Sequence, residues 1–251
     1  MTKKKEKRQE EIRRMLSAHD GLRNTDIAKM LNVTPETIRK DLDELESQQL
    51  IIREHGYARI NKAAIEIPLE LRKVENAGLK ERIAYRAIEE IKDGQTVFLD
   101  AGSTLLYGTD LLKSKRDLTI VVNSIPVAIA AMEQNFKVLM LGGVLQKNGQ
   151  RTEGYFASNM LERIHIDYAI LGTCGIRSAN GFGVYSETEI ETRRQVIERA
   201  DKVAIVMDVT KFDVPAAFQF CEFKEIDQLI TNPLTKEQRE IVRDIPQIIE
   251  V

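Results

Sequence analysis

Residues 98–104 read Phe-Leu-Asp-Ala-Gly-Ser-Thr. An apolar strand, Thr96 to Leu99, runs into an acid, a glycine and two hydroxyls. Leu105, Leu106, Leu111 and Leu112 then continue as an apolar, helix-like stretch. A Gly-Ser-Thr turn between strand and helix offers backbone N–H groups, hydroxyls and a helix N-terminus to an anion. The pattern predicts a small pocket for a phosphorylated ligand. Taken alone it reads more simply as a Ser/Thr helix cap with no ligand. The surrounding chain decides between the two.

Working outward, the pattern repeats. A helix over 79–91 sets Ile83, Ala87 and Ile91 on one stripe ahead of strand 96–100. Strand 118–122 leads to Asn123-Ser124 and a helix entered by Ile125-Pro126. Strand 137–141 ends in Gly142-Gly143, and strand 167–171 in Gly172-Thr173-Cys174-Gly175. Helix 188–200 leads to strand 202–207, closed by Asp208-Val209-Thr210-Lys211. Strand 227–231, helix 235–243 and strand 247–251 complete the series. This alternation predicts βα units around a largely parallel sheet.

The polar and glycine signals gather after the strands, on the rim where open α/β sheets bind ligands. Asp100, Gly102, Ser103, Thr104, Asn123, Ser124, Gly142, Gly143, Gly172, Gly175 and Lys211 are therefore expected to converge on one crevice. Singly each is bland: the glycines serve as tight turns, Asn123-Ser124 as a helix cap, Lys211 as a solvated lysine. Their common placement favours a site.

Upstream the grammar differs. Residues 6–18 set Ile12, Met15 and Leu16 on one helical stripe. Asn24 is placed to cap a short helix burying Ile27, Ala28 and Leu31. Asn32-Val33 makes a turn. Thr34 then caps a new helix with Pro35 at its first position, where the missing N–H costs nothing. That helix buries Ile38, Leu42 and Leu45 and leaves Glu36, Thr37, Arg39 and Lys40 outward. Two helices and a tight turn, with polar and basic residues near the second N-terminus, make a helix-turn-helix. Residues 50–60 follow as a hairpin bent at Gly56, a wing from which Arg53, His55 and Arg59 can reach a nucleic-acid backbone. A helical hairpin for protein contacts is the rival reading. The order of helices, turn, basic face and wing favours DNA.

Composition bounds the rest. The 251 residues, 43% hydrophobic and 30% charged, suit one large or two ordinary domains. Residues 1–62 carry 14 Lys and Arg against 11 Asp and Glu, and the remainder 23 against 28, so a basic module precedes an acidic body. Cys174 and Cys221 have no metal-ligand spacing, and a buried structural thiol is the better reading of Cys174 than a redox sensor. No apolar run nears the roughly 20 residues of a membrane span. No apolar segment follows the N-terminal lysines as a signal peptide would require, so a cytoplasmic location is expected.

Specific strings sharpen these readings. TIRKDLDELESQQLIIREHGYARI at 37–60 resembles the signature of the DeoR family of bacterial transcription regulators. Thr37, Ile38, Arg39, Lys40, Asp41, Leu42, Arg53, His55, Gly56 and Ala58 match it; Gln49 and Tyr57 stand where the family carries glycine. LGGVLQKNGQRTEGYFA, DYAILGTCGI and ETEIETRRQVIERADKVAIVMDVTKF resemble the family's effector domain, as does the spacing of Arg72, Asn76 and Lys80.

The resemblance implies a winged helix-turn-helix over 1–62, a linker over 63–78 and an effector domain over 79–251. That domain is similar in fold to ribose-5-phosphate isomerase and glucosamine-6-phosphate deaminase. It further implies a loop Asp100–Thr104 that binds phosphate and hydroxyls together with Lys211, closed opposite by Asn123-Ser124. Glu189 and Glu191 match an acidic pair of the family. Arg193 stands where lysine is usual, and Arg177 where a smaller or acidic residue is common.

The expected protein is a repressor of a sugar-utilisation operon. Thr34, Glu36, Thr37, Arg39, Lys40, Arg53, His55 and Arg59 would bind operator double-stranded DNA. A phosphorylated sugar at Asp100, Gly102, Ser103, Thr104, Asn123, Ser124, Gly143, Gly175, Glu189 and Lys211 would release it. A homo-oligomer, dimer or tetramer, is expected, with no cofactor, metal, membrane or catalytic residue. The alternative is an isomerase-type enzyme carrying a DNA-binding domain, with Asp100, Glu189 or Glu191 as its base. A dinucleotide-binding regulator is excluded because no Gly-x-Gly-x-x-Gly follows a strand.

Overall fold

A computed structural model describes residues 3–19, 21–47, 50–54, 56–61, 66–176 and 179–251. Two compact units divide the chain, 1–67 and 68–251.

In the first unit, α1 (Lys3–Ala18) buries Ile12, Met15 and Leu16. The two-residue β1 (Leu22–Arg23) precedes α2 (Asn24–Met30), and α3 (Pro35–Ser47) follows a turn in which Asn32 is left-handed, with φ 50°. Thr34 Oγ1 accepts the Thr37 N–H at 3.2 Å, the cap its position predicts. Ile38, Leu42 and Leu45 are buried on α3. Strands β2 (Ile51–Glu54) and β3 (Tyr57–Ile60) form an antiparallel hairpin with Ile51 opposite Ile60.

Asn24 is not the cap of α2. It is the first helical residue, after an extended Arg23, and its buried Oδ1 has no partner among the described residues. Pairing decided this: Leu22 and Arg23 lie opposite Ala58 and Tyr57, so β1 joins a sheet of order β1-β3-β2 that short-range capping rules do not see.

The second unit opens with two helices, α4 (Leu69–Val74) and α5 (Ala77–Glu89). Part of the segment read as linker is thus helical and belongs to this unit. Strand β4 (Thr96–Leu99), a single turn α6 (Ser103–Leu106) and a 3-10 turn (Thr109–Ser114) follow. Next come β5 (Thr119–Val122), α7 (Ile125–Glu133) and β6 (Lys137–Met140). The hairpin β7 (Val144–Gln146) and β8 (Arg151–Glu153) leads to α8 (Tyr155–Leu161) and β9 (Tyr168–Gly172). Strand β10 (Gly181–Val184), α9 (Glu187–Arg199) and β11 (Val203–Val206) precede a 3-10 turn (Val209–Asp213) and β12 (Phe218–Glu222). A short 3-10 turn (Phe223–Glu225), β13 (Gln228–Thr231), α10 (Lys236–Ile241) and β14 (Gln247–Glu250) end the chain.

Seven strands form one parallel sheet of order β14-β13-β11-β9-β4-β5-β6. Alternate residues feed opposite cores. Val97, Leu99, Ile120, Val122 and Ile170 meet α5 and α7 through Ile83, Ala87 and Val127. Phe98, Val121, Ala169 and Leu171 meet α8 and α9 through Leu161 and Val196, with Phe182 and Phe220 of an antiparallel β10–β12 ribbon. Both faces are covered, as a parallel sheet requires. Strand order reverses between β4 and β9, and the open end of that switch point is where such sheets bind ligands. Among the described residues no helix is long and apolar enough to cross a membrane.

Candidate DNA-reading face and effector crevice

On α3, Glu36, Arg39 and Lys40 are exposed and Thr37 is half-buried. Among the described residues neither Arg39 nor Lys40 has an acidic partner, which leaves both free for phosphate or base edges. Arginines on and beside the wing are engaged within the unit. Arg53 pairs with Asp43 and Glu46 of α3, and Arg59 with Glu54 across the hairpin at 2.9 Å. Arg23 stacks on Tyr57, its guanidinium 5.1 Å from the ring centre. The wing therefore closes despite Tyr57 in a glycine position. His55 and Gln49 lie outside the described residues.

The basic N-terminal run is structural in part. Lys5 pairs with Glu44, and Arg8 holds Asp41 through Nε at 2.5 Å and Nη2 at 3.1 Å. Asp41 is 1% exposed. This motif acid therefore faces inward and clamps α3 against α1.

At the carboxyl end of the parallel sheet, the sequence-predicted residues, with Asp208 beside them, fall in spatial order. Asp208 and Lys211 follow β11, Gly172 ends β9, Asp100 to Thr104 follow β4, Asn123 and Ser124 follow β5, and Gly143 follows β6.

Asp100, at the switch point, is fully buried. Its Oδ2 accepts the Gly172 N–H at 2.9 Å and pairs with Arg193 Nη2 at 2.9 Å. Arg193 also donates to the Gly172 carbonyl at 2.5 Å, contacts Glu189 Oε2 at 3.4 Å and lies 4.9 Å from the Phe220 ring centre. Glu189 Oε1 accepts the N–H groups of Tyr185 and Ser186 and pairs with Arg151 Nη2 at 3.2 Å. Arg151 binds Glu153 at 3.0 Å. Both Glu189 oxygens are thus engaged within the protein, in the capping box of α9 and in ion pairs. Glu191 is exposed, and Arg177 lies outside the described residues.

The simple capping reading of 102–104 does not hold: the cap position of α6 is Gly102, without a side-chain cap bond. Nor is there a long helix behind it, because α6 is one turn and contributes little dipole. Ser103 is buried and Thr104 half-buried. Ser124 does cap α7, its Oγ accepting the Val127 N–H at 3.4 Å. The remaining two glycines answer to backbone packing. A Cβ on Gly175 would lie 2.1 Å from the Val214 carbonyl oxygen, and one on Gly143 (φ 143°) 2.5 Å from that of Glu153.

Among the described residues, Asp100 Oδ1, Asn123 Oδ1 and Asp208 Oδ2, after β4, β5 and β11, are buried acceptors with no hydrogen-bond partner, as are Thr231 Oγ1 and Asn232 Oδ1 at the end of β13. Lys211 is half-buried, and among the described residues it makes no ion pair. Asp208 was absent from the residues predicted to bind, though it opens the same four-residue turn as Lys211. Lys80 was missed as well. It is 2% exposed, and burial, then the charge of Lys211, pulls its ammonium down to about 8. Burial pushes the Cys174 thiol up to about 12, with Glu189 adding to it, so Cys174 is a structural thiol at neutral pH.

Comparison with known proteins accords with both units. A family model described as a DeoR-like helix-turn-helix domain matches residues 8–64, and one described as the DeoR C-terminal sensor domain matches 75–233. The chain is 31% identical over 208 residues to the glycerol-3-phosphate regulon repressor of Escherichia coli K12, covering 82% of each chain. It is 32% identical over 226 residues to the HTH-type transcriptional regulator GlpR of Haloferax volcanii, covering 90% of this chain and 89% of that one. Among solved structures, a D-ribose-5-phosphate isomerase in complex with phospho-erythronic acid aligns at TM-score 0.40 and 18% identity, over 54% of this chain and 53% of that one. The chain belongs to the DeoR family of transcriptional regulators, with that family's DNA-reading domain and sensor domain in one polypeptide.

Proposed function

We propose that this regulator is a repressor of a sugar-utilisation operon, released from operator DNA when a phosphorylated sugar fills the crevice. The observation that carries the ligand class is a group of buried acceptors without partners among the described residues on neighbouring strand ends, Asp100 Oδ1, Asn123 Oδ1 and Asp208 Oδ2 among them. A buried acceptor left unmatched costs about 1–3 kcal/mol, so the site is built for a ligand that brings O–H donors. Lys211, without an acidic partner among the described residues, supplies the charge for a phosphate. A polyol with a phosphate at one end meets both demands. Gly102, Ser103 and Thr104 border the space between, while Glu189 and Arg193 hold Asp100 in place.

The same contacts argue for sensing over turnover. Glu189 has no free oxygen, and Asp100 has one oxygen fixed by Arg193 and Gly172. The DNA is read by Arg39 and Lys40. A helix-turn-helix covers a half-site, so the regulator acts as a homo-oligomer on a two-fold operator.

The test uses the full chain. Duplexes selected from a random pool supply the operator probe. Anisotropy titration then compares glycerol 3-phosphate, a panel of hexose and pentose phosphates, and their unphosphorylated parents. The expected result is release by at least one phosphorylated compound, by none of the parents, and loss of that release in Lys211→Ala. Equal effects of phosphorylated and parent sugars would overturn the reading, as would rapid isomerisation of the releasing compound.

A further inference from the structure

The β11 end of the crevice is joined to an elbow in the chain. Lys80 of α5 donates from Nζ to the carbonyl of Arg72 at 2.5 Å and to that of Glu75 at 2.6 Å. These are carbonyls of the last turn and C-cap of α4, acceptors that a helix end leaves without intrahelical partners. The next residue, Asn76, is left-handed (φ 56°, ψ 33°) and turns the chain into α5. Its side-chain amide donates to Thr210 Oγ1 at 3.3 Å, and Thr210 in turn donates to Asp208 Oδ1. The elbow is therefore fastened to the Asp208–Lys211 turn directly through Asn76. It is coupled to the same turn electrostatically through Lys80.

The surroundings of the Lys80 ammonium are finely opposed. Burial disfavours its charge most, and the positive charges of Lys211 and Arg72 add to that; Asp208 and Glu75 favour it. A dianion at Lys211 would cancel the repulsion from that side and draw the proton onto Lys80. A charged ammonium makes stronger hydrogen bonds to carbonyls than a neutral amine does.

We propose that Lys80 is a positioning residue that reports occupancy of the Lys211 anion site to the α4–α5 elbow, through its bonds to the carbonyls of Arg72 and Glu75. This rests on the reading of Lys211 as the anion site. The elbow is well placed to pass the signal on, because α4 begins one residue after the start of the second unit, on the chain's path to the DNA-reading unit.

The test is hydrogen–deuterium exchange of the full chain between pH 6.5 and 9.5, with inorganic sulfate as the probe because its charge is constant over that range. Exchange of residues 69–76, corrected for the intrinsic pH dependence, is expected to slow in a step as Lys80 loses its proton, because opening the elbow returns Lys80 to solvent, where it holds the proton more tightly. Saturating sulfate is expected to move that step upward by about one pH unit, a tenfold change in proton affinity. The wild-type profile needs no variant that might misfold. In Lys80→Met, sulfate should still bind, as judged by thermal shift, while the pH-dependent step in residues 69–76 disappears. Sulfate that binds without moving the profile overturns the relay alone, as does a shift that persists in Lys80→Met. Sulfate that binds wild type and Lys211→Ala equally, or binds neither, overturns the anion site itself.

Discussion

Single side chains in the first unit divide into a basic group without an acidic partner and a structural one. Arg39 is exposed and, among the described residues, has no acidic partner; two positions on, Asp41 is buried and gripped by Arg8. Replacing Arg39 with Ala should leave folding intact and cost about 1–3 kcal/mol of operator affinity if it reads a base. Anisotropy on the selected duplex and on single-base variants checks both the loss and the relaxed preference. Replacing Arg8 with Ala should do the reverse. It strands the Asp41 carboxylate and should destabilise the first unit by about 3 kcal/mol, the lower end for breaking a buried pair, since Arg8 itself is partly exposed. Urea unfolding followed by circular dichroism measures this; a change below about 0.5 kcal/mol would mean that water satisfies Asp41. In the second unit Arg193 holds three acceptors at once with a planar fork. Lysine, a point charge, cannot reproduce that geometry. Arg193→Lys should therefore lose at least one charge-assisted bond, about 1.5–3 kcal/mol of stability by the same assay.

At the scale of elements, strands flanked by glycine or polar turns were legible because a strand buried on both faces reads as a continuous apolar run. Strands 96–99, 119–122, 168–172 and 203–206 lie within a residue or so of their expected bounds. The β10–β12 ribbon was not legible. Gly181-Phe182-Gly183-Val184 has little strand propensity, and its partner lies some 35 residues later, so only long-range pairing creates it. The hairpin β7–β8 was hidden similarly, with Gly143 explained only by the approach of Glu153. For the candidate site, the strand ends point to Asp100 and Lys211, whereas Arg151 comes into view only in three dimensions, and Lys80 stands out in the sequence only as part of a family spacing, with no sign of its burial. An arginine or lysine in a helical or hairpin pattern reads as a solvated face until packing buries it. Lys80 on α5 offers a check by pH. Its pKa is lowered in the folded chain to about 8, against 10.5 for the free side chain, so the unfolded chain binds more protons between those values. Stability should then rise with pH over that window, relative to Lys80→Met. Melting temperatures of both proteins at pH 7.5, 8.5 and 9.5 test the sign. A wild type that loses ground to the variant as pH rises would show that burial does not disfavour the Lys80 charge.

For the whole molecule, function requires that the two units exchange free energy. An effector that releases DNA must bind the DNA-free arrangement better, and by reciprocity operator DNA must weaken effector binding by the same factor, typically about 5–150-fold. Pro68 is the first residue of the second unit and the N-cap of α4, with φ −50°. Its carbonyl accepts the N–H groups of Leu71 and Arg72, at 3.0 and 3.1 Å. A ring-fixed φ at that point stiffens the covalent path along which strain at the elbow can travel. Pro68→Gly keeps the carbonyl and removes the stiffness. It should leave operator affinity and effector affinity, each measured alone, nearly unchanged, while reducing the ratio between operator affinities without and with saturating effector. The measurement is that ratio in wild type and variant, using the releasing compound found in the phosphosugar panel. An effector that tightens wild-type operator binding would make the protein a corepressed or activated regulator and reverse the assigned sign. A Pro68→Gly protein with the full wild-type ratio would place the coupling outside this stiff link. Rearrangement between subunits would then be the better explanation, because it needs no rigid connection within one chain.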